Sequence, residues 1–155
     1  MIDEVDPRGP RFGQAVTAVL ALGGVTLQET ALVYVLAVLL VVPVVSRWRV
    51  DPYGFLWRSL ARRVTSPPET TESAIPHRFA RLLGATFTTV ASALLVAAGA
   101  SGVGSLALAG YGLVAGVGVL ATLGATTGLC IGCRMYRQVG AVRDLGLLTS
   151  PTADR

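Results

Sequence analysis

Cys130 and Cys133 lie in the stretch GLCIGCRMYRQ, Gly128 to Gln138, at the end of the longest apolar run, and the chain has no other cysteine. A Cys-x-x-Cys spacing brings two sulfurs close enough for a disulfide, for two-point metal ligation, or for one thiol to attack a substrate while the other resolves the product. Arg134 and Arg137 follow at once and would favour a thiolate or hold an anionic substrate. These four are the candidate catalytic residues. The competing reading is packing, because a buried cysteine mostly behaves as a small hydrophobe. Metal ligation is the weaker chemical alternative. Cys130, Cys133 and the only histidine, His77, make three ligands at one membrane face, which suits a soft ion better than zinc.

What must position these residues is a membrane bundle. Of 155 residues, 52% are hydrophobic and 14% charged, with a mean hydropathy of +0.62, whereas a soluble domain carries about 25% charged residues. A spanning helix needs about 20 mostly apolar residues. Four candidates follow in order: Phe12 to Val25, Thr30 to Ser46, Phe79 to Ala98 and Leu106 to Ile131. The first two are short and imply tilt or thinning of the bilayer. Arg8 and Arg11 ahead of a short apolar stretch also fit an export signal, but three acids precede them and no small-x-small cleavage site follows, so a permanent helix is expected.

Charge sets the topology. There is no lysine, and the 13 basic residues are arginines placed before the first span, between the second and third, and after the fourth. By the positive-inside rule both termini and the central loop face the cytoplasm. The net charge of +4 then implies anionic lipid as partner, with no nucleic acid. The sequence divides into a cytoplasmic tail (1–11), a first transmembrane hairpin (12–46), an interfacial helix and linker (47–78), a second hairpin carrying the Cys-x-x-Cys pair (79–133) and a cytoplasmic tail (134–155).

GPRFGQAVTAVL and IPHRFARLLGAT both set a proline before Arg-Phe at the mouth of an odd-numbered span. This reads either as a weak internal duplication or as the ordinary preference for proline and aromatics at an entering helix. In the central loop, Asp51 as N-cap and Pro52 at the first helical position open an amphipathic helix with Tyr53, Leu56, Trp57 and Leu60 on one face, expected on the membrane surface. TSPPETTESAIP then reads as a linker.

Continued as a helix through Gln138, the fourth span carries two stripes. Val117, Ala121, Gly124, Gly128 and Gly132 form a small-residue face for close helix approach, and Thr122, Thr126, Cys130, Cys133 and Arg137 a polar face running to the cytoplasm. The pair would meet the negative end of the helix dipole, opposite to a thioredoxin motif, so no strongly acidic thiol is expected unless the glycines unwind the helix. A reducing cytoplasm opposes a permanent disulfide there. No span contains Asp, Glu or Lys, and no glycine run makes a phosphate loop, so neither a proton relay nor a phosphate-binding loop is indicated, and the cofactor is unknown.

VDPRGPRFGQAVTAVL, DPYGFLWRSLARR, PHRFARLLG and GLCIGCRMYRQ together resemble the small four-span prokaryotic membrane family known as domain of unknown function 4395, over Val5 to Gln138. The most specific match is Cys130, Gly132, Cys133 and Tyr136, with Pro10, Arg11, Phe12 and Pro76, Arg78, Phe79 at the span entrances. The resemblance implies an integral membrane protein associated with thioredoxin-like or sulfurtransferase-like partners. In outline the chain is also similar to four-helix membrane thiol oxidoreductases that reduce a quinone.

The expected fold is therefore an all-α integral membrane protein of the cell membrane, multi-pass, with four transmembrane helices as two similar hairpins plus a cytoplasmic interfacial amphipathic helix, and compatible with an oligomer. The leading functional expectation is thiol-redox or sulfur handling by Cys130 and Cys133. The alternatives are a non-catalytic scaffold or partner subunit, and a soft-metal or small-solute carrier.

Overall fold

The computed structural model describes residues 4–5, 8–64, 72–73, 75–128 and 138. Five helices are present: α1 (Arg8–Thr26), α2 (Thr30–Val45), α3 (Pro52–Val64), α4 (Ile75–Ser101) and α5 (Gly104–Thr127). Two short strands, β1 (Glu4–Val5) and β2 (Glu72–Ser73), pair antiparallel and bring the start of the chain beside the segment ahead of α4.

Each expected apolar segment is one helix, and the boundaries move for local reasons. α1 begins at Arg8 and α4 at Ile75, four residues ahead of the expected starts, with Pro10 and Pro76 in their first turns. The missing proline N–H needs no partner there. α2 stops at Val45, and the Trp48 N–H reaches back to the Pro43 carbonyl at 2.7 Å across a left-handed turn at Arg47 and Trp48. The fourth segment departs most from expectation: α5 ends at Gly128, whose φ of 69° is left-handed and whose N–H bonds the Gly124 carbonyl at 3.1 Å. A glycine in this conformation is the common helix stop, since it carries no Cβ to clash. The expected continuous helix to Ile131 is corrected accordingly.

α1, α2, α4 and α5 form a ring. α1 packs on α2 and α5, and α4 packs on the same two, while the diagonal pairs share no comparable seam. This is the neighbour pattern that a two-fold axis along the bundle would generate from two hairpins. α3 lies across one end against α1 and α2.

Small residues make the seams. On Gly118, a Cβ would stand 3.0–3.1 Å from Ala21 and Leu22 of α1; on Gly110, it would meet Leu95 at 2.9 Å and the Ala91 carbonyl at 3.1 Å. Gly24 approaches Val33 in the same way. Large apolar side chains point outward on all four helices, among them Val19, Val38, Val90 and Leu108, the last 76% exposed. The hydroxyls of Thr86, Thr88, Thr89 and Ser92 donate to carbonyls one turn back, which satisfies them without water. Among the described residues no buried side-chain nitrogen or oxygen lacks a partner. By length and apolar character, α4 and α5 can each cross a bilayer; α2 is apolar but shorter, at 16 residues.

Candidate functional site

One end of the ring gathers polar groups, and α3 supplies the central one. Pro52 opens that helix, and the next residue, Tyr53, turns into the bundle, where it is 2% exposed. Its hydroxyl shares a 3.1 Å hydrogen bond with the buried Thr17 hydroxyl of α1. Arg81 of α4 lies over the phenol ring, its guanidinium carbon 5.3 Å from the ring centroid, and donates through Nη1 to Asp51 Oδ1 at 2.8 Å. Stacking on an aromatic face and a charge-assisted bond to a carboxylate are both geometries a guanidinium favours.

Gly13 borders this cluster: a Cβ there would stand 3.5 Å from the Tyr53 ring and 3.6 Å from Arg81 Nη2, an ordinary van der Waals contact. Burial pushes the Tyr53 phenol above the ordinary tyrosine range; the Thr17 hydrogen bond and the Arg81 charge oppose that shift, and Asp51 adds to it.

Beside this cluster runs a cleft of about 390 Å³ between α1, α4 and α5. Gln14, Thr17, Tyr53, His77 and Arg81 supply its polar lining, and Leu40, Leu83, Phe87, Val117 and Leu120 much of the apolar remainder. The Gln14 amide fills the space where a Gly124 side chain would begin, with its atoms 2.6–2.8 Å from that point, and Arg11 Nη2 comes within 2.7 Å of the corresponding point on Gly128. The guanidinium of Arg11 therefore faces the last turn of α5, whose outward carbonyls carry the negative end of the helix dipole.

Sequence reasoning missed Gln14, Thr17, Asp51, Tyr53 and Arg81 as one group. It treated Arg11 and Arg81 as charges that set topology, and Tyr53 as part of a lipid-facing stripe. The available signal was Gly13-Gln14 followed by Thr17, two uncharged polar residues one turn apart beside a glycine in an otherwise apolar helix.

The expected face of α3 divides. Tyr53 is inside, Trp57 packs on Phe12 with ring centroids 5.6 Å apart and covers Gly9, while Leu56 and Leu60 are exposed, as is Phe55 on the far side. The small-residue stripe of α5 does face α1 at Gly124 and Gly128. Its proposed polar stripe is different: the Thr122 and Thr126 hydroxyls donate to the carbonyls of Gly118 and Thr122 at 2.8 Å, so they serve their own helix.

Cys130, Cys133, Arg134 and Arg137 lie outside the described residues. Since α5 stops at Gly128, a helical wheel extended from Thr122 has no basis beyond that residue. His77 lines the cleft. Among the described residues no three His, Cys, Asp or Glu side chains gather as a metal site.

The family profile for "Domain of unknown function (DUF4395)" matches residues 5–140, and the chain belongs to that family. No curated protein and no solved structure matches it.

Proposed function

We propose that this DUF4395 member is a four-span protein of the cell membrane, with its arginine-rich end in the cytoplasm, and that it works through the thiols of Cys130 and Cys133. The membrane reading rests on the outward set of large apolar side chains: α1 and α2 expose Val19, Val35 and Val38 as fully as α4 and α5 expose Val90, Leu108 and Val119. Contiguous apolar surface of this kind marks a membrane or protein contact. Small residues inside and large ones outside are also what helix association in lipid favours.

The thiol reading rests on the Cys-x-x-Cys spacing of Cys130 and Cys133, with Arg134 and Arg137 following in the sequence. Neighbouring guanidinium groups stabilise thiolate. In the reaction this supports, one thiolate attacks the disulfide of a thioredoxin-like or sulfurtransferase-like cytoplasmic partner to form a mixed disulfide. The second thiol then displaces the partner, so Cys130 and Cys133 become a disulfide and the partner leaves as a dithiol carrying the electron pair.

A second reading has its own observation. α3 exposes Phe55, Leu56 and Leu60 next to Arg58, a surface fit for recruiting another protein without chemistry. Soft-metal transport through Cys130, Cys133 and His77 has no comparable support.

The readings separate in native membranes. Mass-tagged alkylation across a range of redox potential should titrate Cys130 and Cys133 as a single two-electron couple near the cytoplasmic poise, with impermeant reagent reaching them from the cytoplasmic side. Thiols that stay reduced and unreactive at every potential would sink the thiol proposal. Recovery of a partner protein that survives Cys130→Ser with Cys133→Ser, but is lost on deleting residues 51–63, would establish the recruiting role instead.

A further inference from the structure

We propose that the cleft between α1, α4 and α5 binds one membrane amphiphile: a single apolar chain ending in an oxyanion, either a carboxylate or a phosphate. The inference goes beyond the thiol reading and rests only on the bundle spanning a membrane.

Shape is the first argument. Gln14, Thr17, Tyr53, His77 and Arg81 give the cleft its polar lining and the remainder is largely apolar, and at about 390 Å³ it falls within the usual range for a bound small molecule. Phe87 of α4 and Leu120 of α5, 44% and 47% exposed, flank it on the outer side of the bundle. That is the side from which a chain would enter out of lipid.

Charge is the second argument, and it selects the head. Arg81 lines the cleft, and no Asp or Glu stands among the described residues that line it. Asp51 takes Nη1 of Arg81, while Nη2 lies 3.6 Å from the vacant Cβ position of Gly13 on the cleft wall. A guanidinium has five N–H donors in a fork that matches an oxyanion, so Arg81 can serve Asp51 and a ligand head together. The Gln14 amide offers further donors to the same cleft. A small soluble anion would leave the apolar part of the cleft unfilled, and an uncharged hydrocarbon would leave the donors of Gln14 and Arg81 that line it unused.

The test uses the full chain in phosphatidylcholine nanodiscs and the fluorescence of Trp48 and Trp57, both at the arginine-rich end and the only tryptophans in the chain. The probes are brominated stearate, its methyl ester and brominated lysophosphatidate, which carries one acyl chain and a terminal phosphate. Brominated stearate should quench with a saturable, single-site component, and the ester should bind about ten-fold more weakly or worse, the loss expected for a charge-assisted bond. Arg81→Gln should weaken the acid to the level of the ester. Ala121→Phe, which fills the cleft and leaves Asp51 and Arg81 untouched, should abolish saturation; it keeps the test valid where Arg81→Gln fails to fold. Lysophosphatidate quenching with the same dependence on both substitutions would assign single-chain phospholipid as the source, and quenching by the acid alone would assign free carboxylates. Equal quenching by acid and ester, unchanged in Ala121→Phe, would overturn the proposal. A protein that remains in the aqueous phase without detergent would overturn the membrane reading as well, whereas a detergent-dependent protein without saturable binding would remove only the cleft.

Discussion

Tyr53 answers to three helices at once. Its hydroxyl bonds Thr17 of α1, its ring lies under Arg81 of α4, and Asp51, just ahead of its own helix, is the partner of that arginine. Replacing Tyr53 by Phe keeps the ring and removes the bond, so near neutral pH it should cost about 1 kcal/mol. The substitution should also change the alkaline behaviour. Folding holds the phenol protonated above its ordinary value of 10.0 because it is buried. That contribution is fully present below the unfolded value and is lost as pH rises through the raised folded one. Unfolding midpoints measured in detergent should therefore fall more steeply above pH 10 for the parent than for Tyr53→Phe. Parallel curves would mean that the phenol is solvated and the buried bond is absent.

The glycines of α5 divide at the element scale by what they face. Gly110 has the Ala91 carbonyl at 3.1 Å and Leu95 at 2.9 Å from its vacant Cβ position, while Gly112 and Gly116 have nothing within 4 Å. Gly110→Ala should force α4 and α5 apart and destabilise by about 1–3 kcal/mol, the usual penalty of overpacking. Gly112→Ala should be neutral or stabilising by up to about 1 kcal/mol through helix propensity. Equal effects in a thermal unfolding assay would show that α5 does not meet α4 at Gly110. Sequence reasoning had recognised a small-residue stripe but continued it to Gly132. The stop at Gly128 was not legible, because a glycine is as compatible with a weak helix as with a left-handed end.

At the scale of the whole molecule, charge separates the two ends. The described arginines crowd the α3 end, while the α1–α2 turn carries Glu29 and no basic residue. In a chain freed of its native cysteines, Leu27→Cys and Ser101→Cys should react with an impermeant maleimide only from outside the cell, and Ser59→Cys only from inside. All three positions are exposed. Labelling of Leu27→Cys and Ser59→Cys from the same side would refute the four-span topology. Both turns were readable as turns from the sequence alone, since TLQET and GASGVGS interrupt the apolar runs with polar and flexible residues.

Hydropathy and charge accumulate along a chain without reference to its fold, so the sequence by itself determined the number and order of the apolar helices and the end at which arginine gathers. It also determined family membership, through motifs spread over most of its length. The tertiary structure decided which polar groups meet. Gln14, Thr17, Tyr53 and Arg81 belong to three helices, and only the ring in which α1 and α4 share both neighbours brings them to one cleft. The cause is steric: Gly110 and Gly118 set how closely α5 approaches α4 and α1, and that distance depends on the facing side chain, which no local pattern reveals.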